Sequence, residues 1–208
     1  MDNVRDYFNV VDCRWSENLF EERKNYKIID NFYYCYSKVR NNKPKILDVG
    51  CGVGYDSKHL SELGARVTGI DFAENRLDVA LNNAHSCEFR VCDISAKSSI
   101  VEKYDGIVCL DTLNYIGIEK MKQVFENFSN MTRSGALLLI SVLDGSSKDL
   151  ERSRRFFNGK EFDLNFSRYN VEQLCTFAHP YFKLVDTWQY NDFNDGWRYY
   201  IFMRQPIK

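Results

Sequence analysis

Three glycines at every second position, Gly50, Gly52 and Gly54, follow the apolar run in "ILDVGCGVGYDS", residues 46 to 57. A glycine-rich turn lets the backbone approach a ligand that a side chain would push away. Acids recur at matching points along the chain. Asp48 stands inside the first run, Asp71 follows "RVTGI", Asp93 follows "CEFRV" and Asp111 follows "YDGIVCL", with Asn114 and Tyr115 just beyond. If these runs are strands of one open parallel sheet, their carboxyl ends form the ligand-binding edge. Four carboxylates then line that edge, a poor place for phosphates. A dinucleotide fingerprint reads G-x-G-x-x-G, whereas here Tyr55 holds the position of the third glycine. A triphosphate loop needs Gly-Lys-Ser/Thr, and no lysine directly follows these glycines.

An acid-lined edge suits a cation. A ligand with an ammonium, a sulfonium and two ribose hydroxyls fits it, and S-adenosylmethionine carries all of these.

The elements that must hold these residues follow from periodicity. Residues 17 to 40 read as a helix, with Ile29, Phe32, Tyr33 and Tyr36 at helical spacing, broken by "NNKP". "KILDV" is a strand, residues 55 to 63 a helix stopped by Gly64, and "RVTGI" a second strand. "ENRLDVALNNA" is a helix with Leu77, Ala80, Leu81 and Ala84 on one face. "CEFRV" and "YDGIVCL" are further strands, residues 118 to 131 an amphipathic helix through Met121, Val124, Phe125 and Phe128, and Gly135 precedes the strand "ALLLISV". Alternating strand and helix predict an α/β, Rossmann-like fold, a parallel sheet with helices on both faces. Residues 144 to 169 read as charged and irregular. Asn170 is placed to cap a short helix, with Gln173 at the reciprocal position. "YFKLVDTWQY" and "WRYYIFM", joined by "NDFNDG", predict a terminal antiparallel β-hairpin.

The 208 residues suit one domain. We divide it into an N-terminal helical cap (1–43), a ligand-binding core (44–142), and a lid segment, last helix and hairpin (143–208). A formal net charge of -1 argues against a basic nucleic-acid binder. Seven cysteines, an odd number without a C-x-x-C pair, point to a reducing, cytoplasmic setting. The N-terminus lacks the apolar stretch of a signal peptide, and no run approaches a membrane span.

"ILDVGCGVG", "VTGIDFAENRLDVA", "CDI" and "YDGIVCLDTLNYI" together resemble the class I S-adenosylmethionine-dependent methyltransferases, across residues 46 to 142. The resemblance implies a seven-stranded sheet with the last strand antiparallel, S-adenosylmethionine as cofactor and S-adenosylhomocysteine as product. It implies that Gly50, Cys51, Gly52 and Gly54 form the cofactor loop, and that Asp48 helps hold the amino-acid end. Asp71 would take the ribose hydroxyls. Phe72 and Ile94 would flank the adenine, whose amino group Asp93 would bind. Leu110 and Asp111 would lie near the transferred methyl. The family often has Ser or Thr two residues after the ribose-binding acid, as a helix cap; this chain has Ala73. "RRFFNGKEFDLNFSRYNVEQL" resembles the segment before the last helix in members that act on small molecules.

Methyl transfer to oxygen or nitrogen needs alignment above all. A hydroxyl acceptor gains from a nearby proton acceptor, and Asp111, Tyr115 or His59 could serve. His59, His85 and His179 show no metal-ligand spacing, so no metal is expected. Arg152, Arg154, Arg155, Lys160 and Arg168, interleaved with acids, form a solvated face or a lid for an anionic substrate. Tyr7, Phe8 and Trp15 are helix packing or a cover over the cofactor. The expected acceptor is a small molecule rather than nucleic acid or membrane, bound by a monomer or homodimer. A nicotinamide-dependent oxidoreductase and a non-catalytic cofactor-binding scaffold stay open as alternatives.

Overall fold

The computed structural model describes residues 2–10, 25–37, 43–145, 151–157, 159–189 and 196–206. Expectations that fall on Trp15, on residues 17–24 and 38–42, and on most of "NDFNDG" lie outside the described residues. The chain divides into two compact units, Met1–Asp93 and Ile94–Lys208. Seven strands form one sheet, in the order 88–91, 66–71, 45–49, 104–109, 132–143, 197–204 and 182–189, and residues 151–157 and 160–166 form a separate pair.

The first unit begins with α1 (Asp2–Val10) and α2 (Asn25–Ser37). Then come β1 (Lys45–Val49), α3 (Tyr55–Glu62), β2 (Arg66–Asp71), α4 (Glu74–Asn83) and β3 (Glu88–Val91). β1 pairs with β2, and β2 with β3, all parallel. β1 and β2 are apolar on both faces because helices cover both. Ile46, Leu47, Val49 and Ile70 are buried with Ile29, Phe32 and Leu60 from α2 and α3. Each such side chain contributes about 1.5–3 kcal/mol by leaving water. β3 is an edge strand with Glu88, Arg90 and Val91 exposed. On α4 the buried stripe is Arg76, Leu77 and Ala80, continued by Ala84 just past its end, whereas Leu81 is 49% exposed. The expected face is therefore rotated: at 100° per residue, Arg76 lies inside the buried arc and Leu81 outside it.

The second unit holds β4 (Tyr104–Cys109), α5 (Met121–Met131), β5 (Thr132–Leu143), α6 (Val171–Ala178), β8 (Phe182–Gln189) and β9 (Trp197–Arg204). β4 and β5 are parallel, and β9 runs antiparallel to both β5 and β8. The sheet and terminal hairpin thus match the expected architecture. Phe125 and Phe128 of α5 pack edge-on, and Phe125 also meets Phe182 and Phe202 edge-on. β5 starts at Thr132, before Gly135 rather than after it.

Within the segment expected to be irregular, residues 151–157 and 160–166 are strands. β6 (Glu151–Phe157) and β7 (Lys160–Phe166) pair antiparallel from Glu151↔Phe166 to Phe157↔Lys160. In β7, Phe162 and Leu164 point inward and are buried, alternating with charged residues. Arg154 pairs outward with Glu161 at 2.8 Å and its side chain is 65% exposed, so the solvated-face reading holds for it.

The expected cap of the last helix is present in full. Asn170 Oδ1 accepts from the Gln173 amide at 2.9 Å, and Gln173 Oε1 accepts from the Asn170 amide at 3.1 Å. Asn170→Ala is expected to destabilise the fold by about 1 kcal/mol. Urea denaturation checks this, with Asn170→Ser recovering most of the loss.

Candidate functional site

The glycine spacing has a backbone cause. Gly50, Gly52 and Gly54 have φ of 72°, 52° and 84°, so every second residue of the loop is left-handed. Only glycine takes that conformation without a penalty. The loop is clipped to the neighbouring strand, since the amides of Gly50 and Cys51 both donate to the Ile70 carbonyl, at 2.7 and 3.1 Å. Gly54 then leads directly into α3.

Asp71 ends β2 and is 7% exposed. Its Oδ2 accepts from the Gly52 amide at 2.9 Å and its Oδ1 from the Ala73 amide at 2.8 Å. One carboxylate thus ties the glycine loop to the turn after β2. Burial pushes its pKa up from 3.8, against the two amides and the Arg76 guanidinium, which favour the charged form. Asp48 is also buried, and its Oδ2 accepts from the Ser57 hydroxyl at 2.6 Å. That bond fixes the first turn of α3 behind the loop. The Cys51 thiol is pushed well above its ordinary value, by burial first and then by Asp48 and Asp71. That shift favours the neutral, packed thiol over the thiolate.

Helix α1 meets the residues expected at the adenine. Phe8 packs edge-on against Phe72 with ring centroids 6.2 Å apart, and the Arg5 guanidinium lies 5.6 Å from the Phe72 ring. Arg5 also pairs with Asp93 at 3.6 Å. Arg76 donates from Nε to the Phe8 carbonyl at 3.0 Å and covers the Phe8 ring at 4.7 Å. Ala73 provides no side-chain cap for α4. Asn9 of α1 takes over part of that work: its Oδ1 accepts from the Asn75 amide at 3.4 Å, and its carbonyl accepts from the Asn75 side chain at 3.1 Å. A helix end missing its own cap is satisfied by a neighbouring element.

His59 is turned to α2. Its Nε2 lies 2.7 Å from Asp30 Oδ1 and its ring stacks on Tyr26 with centroids 4.0 Å apart.

In the second unit, Ile94 is buried and its carbonyl accepts from Asn127 of α5 at 2.8 Å. Leu110 is buried just past β4. Asp111 follows it, exposed, with a φ of 53°. Ser141, fully buried in β5, accepts from the Asp111 amide at 2.8 Å and donates to Asp111 Oδ1 at 2.8 Å. Tyr115 is half-buried in a single turn, Leu113–Tyr115. Behind that turn Asn114 accepts from the Leu143 amide through Oδ1 and from the Ser167 amide through its carbonyl, at 2.9 and 2.7 Å. Tyr169 donates to the Ile116 carbonyl at 2.6 Å, and burial pushes its pKa to about 12. Asp144 pairs with Arg198 at 2.9 Å.

The sequence reading named the loop and the acids but missed their partners. Ser57, Arg5, Asn9, Arg76 and Ser141 have no motif of their own. The available signal for Ser141 was a lone hydroxyl inside the apolar run "ALLLISV". The donor set fits an adenosine cofactor. A loop with glycine at every second position, beside a buried carboxylate held by two amides, can accept a close ligand that carries hydroxyls. Among the described residues, no helix is long and apolar enough to cross a membrane.

Residues 46–135 match the family model described as a methyltransferase domain. A ubiquinone biosynthesis O-methyltransferase of Coxiella burnetii is 28% identical over 71% of this chain and 62% of its own length. One from Glaesserella parasuis is 33% identical over 50% of this chain and 47% of its own. The chain thus spans less than two thirds of either relative. In fold it is similar to a magnesium protoporphyrin IX methyltransferase from Synechocystis solved with S-adenosylhomocysteine. The TM-score is 0.73 at 18% identity, over 97% of this chain and 98% of that one. With the strand order, the glycine loop and the clipped acid at the end of β2, residues 46–135 are thus similar to the methyltransferase domain family, in a fold similar to that of methyltransferases solved with S-adenosylmethionine or its demethylated product.

Proposed function

We propose that this protein is an enzyme that transfers a methyl group from S-adenosylmethionine to an oxygen or nitrogen of a small molecule. One observation carries the reading. The Asp71 carboxylate is locked between the Gly52 and Ala73 amides, at the strand end where a ribose diol would lie. The cofactor, when bound, supplies a carbon already activated by its sulfonium. The protein supplies alignment and the exclusion of water.

Asp71 takes the ribose hydroxyls, and Phe72 and Ile94 flank the adenine. Asp93 meets the adenine amino group beside Arg5. Asp48 acts at one remove, by holding Ser57 and with it the loop. Asp111 or Tyr115 receives the proton of a hydroxyl acceptor. His59, held by Asp30 and Tyr26, packs α3 on α2 and takes no part in the chemistry. Oxygen is the favoured acceptor atom, supported by the exposed Asp111 carboxylate and by the two O-methyltransferase relatives.

Calorimetry with S-adenosylmethionine, S-adenosylhomocysteine and NAD is the first test; heat with the first two and none with NAD is expected. NAD binding without an S-adenosylmethionine signal sinks the proposal. Pools of phenols, carboxylic acids and amines, assayed for S-adenosylhomocysteine release, then identify the acceptor. Tight cofactor binding with no turnover on any pool supports the scaffold alternative.

A further inference from the structure

Asp111 is the one non-glycine residue with a positive φ among the described residues. Such a backbone is uncommon outside glycine, though Asp and Asn tolerate it best, and it persists only where the surroundings over-determine it. Here two of the contacts that hold it come from a single atom. Ser141 Oγ accepts the Asp111 amide proton and gives its own proton to Asp111 Oδ1, both at 2.8 Å. The two bonds close a small ring around the strained residue. Ser141 itself is 0% exposed and sits in β5, whose register on β4 is fixed through Cys109↔Ile140. The anchor is therefore rigid, and the residue it holds is exposed.

We infer that Ser141 is a positioning residue that clamps the Asp111 carboxylate as a fixed negative charge facing the donor's sulfonium. The inference rests on the reading that Asp111 stands at the reacting methyl. A free aspartate would swing into solvent, where its field is screened. A clamped one favours the cationic methyl donor over its neutral demethylated product, because only the donor carries the sulfonium charge. Loading of donor and loss of product both gain from that preference.

The test is binding rather than turnover. Dissociation constants for S-adenosylmethionine and S-adenosylhomocysteine are measured by calorimetry for wild type, Asp111→Asn, Ser141→Ala and the double variant. Asparagine keeps the shape and tolerates the backbone, but removes the charge. Asp111→Asn is expected to cut the preference for donor over product about tenfold, with product affinity changed less than twofold. Ser141→Ala is expected to cut the same preference at least threefold. The double variant is expected to match Asp111→Asn, because an unclamped neutral group has nothing left to lose. Thermal denaturation reads the clamp independently: adding Asp111→Gly to Ser141→Ala is expected to raise the melting temperature, since glycine needs no clamp. If Asp111→Asn leaves the preference intact, the placement of Asp111 at the methyl fails, and the inference with it. If Asp111→Asn acts and Ser141→Ala does not, the placement stands and the clamp is refuted. Equal loss of both ligands in Ser141→Ala marks a merely structural serine and also overturns the inference.

Discussion

Asp71→Ala is expected to weaken S-adenosylmethionine binding more than tenfold. In the proposed role the carboxylate would accept from two ribose hydroxyls, and charge-assisted hydrogen bonds of this kind contribute about 1.5–3 kcal/mol each. The substitution also strips the Gly52 and Ala73 amides of their buried acceptor. The loop that approaches the cofactor then loses its tie to the turn after β2. Asp71→Asn separates the two effects: it keeps one acceptor for the amides and loses the charge, so its cost in affinity falls between wild type and alanine. Burial sets the pH dependence. The folded pKa lies above 3.8, so as pH rises the unfolded chain gives up its proton first. Stability is greatest below the ordinary value and falls as pH climbs from 3.8 through the raised one. Cofactor affinity moves the other way over the same window, because the charged form is the better acceptor. Asp71→Asn flattens both trends. Calorimetry across that range decides, and an Asp71→Ala protein with near-wild-type affinity contradicts the ribose role.

Strands β1, β2 and β4 were legible because they are short, almost wholly buried and separated by helical periods. β1 spans the expected residues, Lys45–Val49, and the reciprocal cap of Asn170 and Gln173 is as expected. What escaped is where one strand carries no alternating pattern. β6, "ERSRRFF", places charges on consecutive residues, although its partner β7 alternates cleanly through Phe162 and Leu164. A hairpin whose one strand reads as loop is read as loop throughout. Leu81 misled for a different reason: hydrophobicity placed it in the buried stripe, while Arg76 in fact occupies the inner face. An arginine is buried there because the Phe8 ring and carbonyl of α1 receive it, a partner 68 positions away. No local pattern carries that information.

The site was legible as a set of acids and opaque as a set of partners. Asp48, Asp71 and Asp111 are each held by a small donor: Ser57, the backbone amides of Gly52 and Ala73, and Ser141. Serines and amides leave almost no trace in sequence, because any loop offers them. Asp93 carries a larger partner, Arg5, on the helix that also supplies Asn9 to the start of α4. The Ala73 departure thus has a structural answer in α1. The same helix that reaches the start of α4 meets Phe72 and Asp93, which ties order at the expected adenine subsite to the seating of α1.

Gly54→Ala is expected to destabilise the fold by about 2–5 kcal/mol, the largest effect of any methyl-sized change in the loop. Two terms add. The left-handed backbone, at φ 84°, costs any L residue about 1–2 kcal/mol. The new methyl would also lie 2.9 Å from the Ala80 Cβ and 3.1 Å from its Cα, on the buried face of α4. Those atoms belong to a helix backbone and its shortest side chain, so neither can swing aside, and overpacking of this kind costs about 1–3 kcal/mol. Gly159 is the internal control. It too is left-handed, at φ 74°, but a methyl there meets nothing within 4 Å. Gly159→Ala is expected to lose only the backbone term. Urea denaturation of the two variants therefore measures the close approach of the loop to α4 by difference. Equal losses would mean that the loop can retreat from α4, and that Gly54 is selected for its backbone alone. A larger loss at Gly54 explains the spacing itself: the third glycine stands where α3 leaves the loop against Ala80, one residue short of where a pyrophosphate loop would need it.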